Sequence, residues 1–103
     1  MNLFVSVNEK SAAAFFVEHL PAVRRALGGT DLIVVVFAPA GHEHRAWRLA
    51  AIQELAREAA PKRVNGIAGG ADDAIKEVAA YLRAAPGVTG QLLAVDGKAG
   101  KID

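Results

Sequence analysis

The run Leu32-Ile33-Val34-Val35-Val36-Phe37 limits the folds open to this chain more than any other stretch. Successive side chains of a strand point to opposite faces, so a strand that is apolar throughout must be covered on both. Its β-branched content suits a strand, and covering both faces calls for helices above and below a parallel sheet. The run is also far shorter than the ~20 residues a membrane-spanning helix needs.

The flanking sequence supplies those helices. Ser11 to Leu27 is alanine-rich and places Phe15, Phe16, Val17, Leu20, Val23 and Leu27 at helical spacing. It closes with Arg24, Arg25 and the stop signal Gly28-Gly29, and Pro21 is expected to bend the helix without ending it. Ala46 to Ala60 reads as a second helix with Leu49, Ile52 and Leu55 on its apolar face and Pro61 at its end. Val64 to Ala68 is a short strand running into Gly69-Gly70. Asp72 or Asp73 can cap a third helix, with Ile75, Val78, Ala79 and Leu82 along one face and Pro86-Gly87 to stop it. Leu92 to Val95 is the last strand. This alternation predicts an α/β fold in three layers, a partial Rossmann-like arrangement with a short parallel sheet of about three strands and right-handed crossovers. Leu3 to Val7 fits either an edge strand, by alternation, or a backward extension of the first helix with Asn2 as its cap.

With 103 residues the chain reads as one domain spanning 1–103, with residues 97–103 as a frayed tail. Twelve basic and 11 acidic residues leave a net charge of +1, too little to draw in nucleic acid or an anionic membrane. The basic run Arg45, Arg48, Arg57, Lys62 and Arg63 is interleaved with Glu43, Glu54 and Glu58, as on a solvated helix face. No cysteine is present, which excludes disulfides and thiolate metal sites, and Met1-Asn2-Leu3 lacks the start of a signal peptide. A soluble, cytoplasmic protein is expected. His42-Glu43-His44 lacks zinc-binding spacing, so no metal is expected.

The tail Val88-Thr89-Gly90-Gln91-Leu92-Leu93-Ala94-Val95-Asp96-Gly97 resembles the closing segment of the short-chain dehydrogenase/reductase family. Five further blocks resemble the family in its own order. Val7-Asn8-Glu9-Lys10-Ser11 with Phe15-Phe16 is similar to its fourth helix, and Leu32 to Gly41 to its fifth strand. Leu55-Ala56-Arg57-Glu58 is similar to its fifth helix. Val64-Asn65-Gly66-Ile67-Ala68-Gly69-Gly70 is similar to its Val-Asn-x-Ile-x-Pro-Gly turn, with Glu77-Val78-Ala79 in its last helix. The resemblance favours helix for Leu3 to Val7. It is to the C-terminal half of a 3-oxoacyl-carrier-protein-reductase-like member, because such reductases are single domains of roughly 250 residues.

The resemblance also shows departures. The family's glycine-rich dinucleotide turn has no counterpart; Gly28-Gly29 and Gly69-Gly70 read as a helix stop and a turn. The substrate loop before the last helix is reduced to Gly70-Ala71-Asp72. The family's catalytic Tyr aligns near Gly41, its Lys near Arg45 and its Ser near Ala38. A guanidinium cannot replace the tunable lysine. Asn8 alone matches the catalytic set, and Tyr81 reads as a boundary residue on the third helix. No catalytic, cofactor-binding or metal-binding residues are therefore expected, and no cofactor.

The elements that in the family make subunit contacts are kept. The expectation is a non-catalytic, reductase-derived subunit forming a homo-oligomer, or a hetero-oligomer with a full-length short-chain reductase. Candidate interface residues are Phe15, Phe16, Ala46, Trp47, Leu49 and Ala50, with Leu92 to Asp96 as a second contact. The alternatives are a minimal or repurposed oxidoreductase built on His42 to Arg45, or a relic fold without a partner.

Overall fold

The computed structural model describes residues 2–7, 20–38 and 42–95, with the backbone alone for 2–7 and His42. Four strands form one sheet: β1 (Asn2–Val7), β2 (Leu32–Phe37), β3 (Arg63–Ala68) and β4 (Leu92–Ala94). Three α-helices alternate with them: α1, described over Leu20–Leu27, α2 (Arg45–Ala59) and α3 (Asp72–Arg83). A 3-10 turn, His42–His44, leads into α2. All strand pairs are parallel, in the order β1-β2-β3-β4.

The apolar run forms β2, as its composition requires, and five of its six residues are buried. Ile33, Val35 and Phe37 face one cluster with Val64 and Leu92. Leu20, Val23 and Leu27 of α1 and Ala51, Ile52 and Leu55 of α2 close over it. Leu32 and Val34 face the other, with Ile67 and Val95, beneath Ala74, Val78, Ala79 and Leu82 of α3. Each fully buried side chain of this size contributes about 1.5–3 kcal/mol relative to exposure, so β2 anchors both cores. The three layers are thus α1 with α2, the sheet, and α3.

Three expectations need correction. Leu3 to Val7 is strand, not helix: β1 pairs in register from Asn2 opposite Leu32 to Val7 opposite Phe37. Local spacing allowed both structures, and a free edge on an apolar central strand decides for pairing. The sheet therefore has four strands rather than about three. Nor can the crossovers share one hand. Each strand is added on the same side of its predecessor, yet α1 and α2 cover one face and α3 the other. The β3-α3-β4 connection is then opposite in hand to the first two, a departure from the strong general preference. Gly69 and Gly70, with φ of 74° and 95°, lie where the chain turns to the second face.

Helix ends also differ in detail. Asp72 and Asp73 lie in the first turn of α3 and favour its positive end, while the position before the helix is Ala71, without a side-chain cap. Basic residues from the start of β3 serve the opposite helix ends. Arg63 Nη1 donates to the carbonyls of Leu82 and Ala85 at 2.8 and 2.9 Å, and Lys62 donates to that of Leu27. Ser11 to His19, with Phe15 and Phe16, and the tail 97–103 lie outside the described residues.

Candidate functional site at the carboxyl edge of the sheet

In a parallel sheet all strands end at the same edge, where the connecting loops can gather functional groups. Here β2 delivers Phe37 and Ala38 to that edge, and the 3-10 turn and first turn of α2 deliver His44, Arg45, Trp47 and Arg48. The amide of Gly69 donates to the Phe37 carbonyl at 3.0 Å and ties the ends of β2 and β3 together.

The centre of this cluster is aromatic and cationic. Trp47 meets Phe37 edge-on, with ring centroids 5.9 Å apart and planes at 87°. Arg48 is only 3 % exposed, with its guanidinium 4.8 Å from the centroid of Phe37 and 5.6 Å from that of Trp47. Burial pushes the Arg48 guanidinium down from its ordinary value, although an arginine still keeps its charge at neutral pH. The indole Nε1 donates to His44 Nδ1 at 3.1 Å. Sequence reading placed Arg48 in a solvated basic run and missed this cluster. The available signal was position: Arg48 lies four residues before Ile52 and so shares its inward stripe.

Two of the positions that the resemblance aligns with the family's catalytic groups lie at this same edge. Ala38, half-buried, stands at the serine position, and exposed Arg45 stands at the lysine position. Gly41, at the tyrosine position, and Asn8 lie outside the described residues. Tyr81 is on the outer face of α3, 55 % exposed. Among the described residues no group of His, Cys, Asp and Glu could hold a metal ion. Only three residues, Gly69 to Ala71, join β3 to α3, as the shortened loop in the sequence implies.

The motif-bearing segment 88–91 has a different role. Asn65, fully buried on β3, donates from Nδ2 to the Val88 carbonyl at 2.9 Å and accepts from the Gln91 amide at 3.1 Å. Thr89 Oγ1 accepts from the Val64 amide at 3.1 Å, Gly90 N donates to Val64 O at 2.8 Å, and Gly66 N donates to Gln91 O at 2.8 Å. The Val-Thr-Gly-Gln segment is thereby laced to β3 and delivers Leu92 into the core. Gly66 permits this closeness, because a Cβ there would come within 2.9 Å of both Ile52 and Leu92.

The candidate interface residues divide. Ala46 and Ala50 are exposed on the outer face of α2, whereas Trp47 and Leu49 are half-buried and pack against the internal core. At the amino edge, a shallow groove between the ends of α1 and α2 is lined by Arg24, Leu27, Gly28, Glu58, Ala59 and Lys62. Arg24 binds Glu58 there through Nη2 at 2.7 Å and Nε at 3.1 Å. Among the described residues no helix is long and apolar enough to cross a membrane.

Comparison with curated proteins and with solved structures gives no significant match. The family model for short-chain dehydrogenase-like proteins matches residues 5–95, a span that takes in all three helices and at least part of every strand. On that match, the chain belongs to the short-chain dehydrogenase-like family.

Proposed function

We propose that this chain is a non-catalytic subunit of reductase descent that associates with itself or with a full-length short-chain reductase in the cytoplasm. One observation carries the reading: the three positions aligned with the family's Ser, Tyr and Lys hold Ala38, Gly41 and Arg45 within an otherwise well-packed fold. None can exchange a proton as the family reaction requires, since a methyl, a hydrogen and a guanidinium replace a hydroxyl, a phenol and an amine. The three-residue β3–α3 connection supports the same reading, because it leaves little chain with which to enclose a substrate. The exposed Ala46 and Ala50 suit the association half, since small residues let a second helix approach closely.

Sedimentation velocity of the protein alone, and mixed with an intact reductase from the same genome, tests the association. A dimer or mixed complex is expected. Ala50→Glu should dissociate it while leaving circular dichroism unchanged, because that side chain faces away from the core. A monomer at high micromolar concentration under both conditions sinks the association. Micromolar binding of NADPH in calorimetry overturns the non-catalytic reading.

A further inference from the structure

The two edges of the sheet differ. β4, at one end, has three residues, and so short an edge strand offers little to pair with. β1, at the other end, has six, and it matches β2 residue for residue from Asn2 opposite Leu32 to Val7 opposite Phe37. The register never skips, so no bulge turns the strand away from a neighbour. Among the described residues its other side carries no strand, because β1 ends the strand order. A strand directs its backbone N–H and C=O groups to both sides, so half of those of β1 point away from β2.

Edges that must stay alone are guarded by charge, proline or a bulge. Asn2-Leu3-Phe4-Val5-Ser6-Val7 has neither a charged residue nor a proline, and Phe4, Val5 and Val7 are of types that favour strands. The same composition selects the occupant. In a twofold pair of identical strands each residue meets its own copy or a near neighbour from its own strand, so a charge would face a like charge. β1 brings none, and a partner chosen by opposite charge would find nothing there to recognise.

We propose that the outer edge of β1 is a self-association surface that takes β1 of a second copy, antiparallel about a twofold axis, and joins two four-stranded sheets into one. With the axis normal to the sheet, both copies keep α1 and α2 on one face and α3 on the other. A residue near the middle of the strand then lies opposite its own copy. With Val5 on the axis, Leu3 stands opposite Val7 and Phe4 opposite Ser6. This contact, which rests on the self-association reading, is separate from the one at Ala46 and Ala50 on α2. An edge of six residues spans only about 20 Å, so the pairing is weak and forms at high micromolar concentration.

Ala50→Glu removes the helix contact and leaves the edge, so the test is made in that background. Sedimentation velocity should show a monomer at low micromolar concentration and a dimer at high micromolar concentration. Adding Ser6→Lys sets a lysine of each copy near the axis and should abolish this dimer without changing circular dichroism. Amide exchange in β1 of the Ala50→Glu chain should slow as concentration rises, while that in β2 stays constant. In an equal mixture of isotope-labelled and unlabelled chains, nuclear Overhauser contacts should join Hα protons of β1 in different copies. These two readouts need no edge variant and decide the matter if Ser6→Lys does not fold. A dimer already present at low micromolar concentration that Ser6→Lys removes assigns the whole self-association to the edge. A dimer that survives Ser6→Lys, or that forms without slower exchange in β1, overturns the edge pairing and leaves association by another surface standing. So does an Ala50→Glu chain that stays monomeric at high micromolar concentration beside a wild type that dimerises. A wild type that is itself monomeric there removes self-association altogether.

Discussion

The carboxyl edge near α2 and the seam between β3 and the segment 88–91 resemble the same family to different degrees, and the structure gives the reason. At the seam, Asn65, Thr89, Gly90 and Gln91 each make a hydrogen bond that the fold needs, and the family-like letters stand. At the edge, a catalytic serine, tyrosine and lysine would serve only a reaction, and the positions that the resemblance aligns with them are Ala38, Gly41 and Arg45, of which Gly41 lies outside the described residues. Sequence motifs in a reductase-like chain therefore report two things, architecture and chemistry, and one can be present without the other.

The comparison can be broken first at the anchor of the edge. Phe37→Ala empties a fully buried site beneath Trp47 and Arg48 and should cost about 3–5 kcal/mol in urea unfolding. A loss below ~1 kcal/mol would show that the aromatic cluster is not part of the core. At the seam, Asn65→Ala removes two hydrogen bonds from a buried position and should cost about 2–3 kcal/mol. Faster amide exchange at Gln91 should accompany it, and an unchanged exchange rate there would contradict the clamp. Thr89→Val tests the same seam more gently, with an expected loss of about 1 kcal/mol.

Smaller effects sharpen the contrast. Gly41→Tyr combined with Arg45→Lys restores the two letters that the resemblance aligns with the family's Tyr and Lys. Carbonyl reduction with NADPH should remain undetectable, and any measurable turnover would show that the edge had lost only those letters. The smallest effect is expected at the amino-edge groove. The hydrogen bond from Arg24, followed by its charge, holds the Glu58 carboxyl below the ordinary glutamate range. A depressed carboxyl stabilises the fold at pH above its unfolded value, about 4.3, and loses that contribution as pH falls through the folded value. Glu58→Gln should therefore lie slightly below wild type at neutral pH and converge with it in acid. Both groups are exposed, so the gap is small.

Much of the fold was legible because periodicity and composition act locally. Leu32–Phe37 specified a strand covered on both faces, and α2, α3 and β3 followed from apolar spacing and from Pro61, Gly69-Gly70 and Pro86 as punctuation. Leu3–Val7 was not legible, since five residues fit a strand and a helix face alike, and the register against β2 chose between them. Arg48 was misplaced for the same reason. A charged residue reads as solvated until a neighbouring strand brings Phe37 beneath it.

The sequence by itself determined the layer type, the parallel strands at β2, β3 and β4, and the family, because each is set by residue identity or by short-range spacing. Only the tertiary structure decided that β1 completes the sheet, that α3 crosses on the face opposite α1 and α2, and that His44, Trp47, Arg48 and Phe37 meet. Those outcomes depend on which distant segments cover each other's apolar and hydrogen-bonding surfaces, a competition that no single stretch of the chain contains.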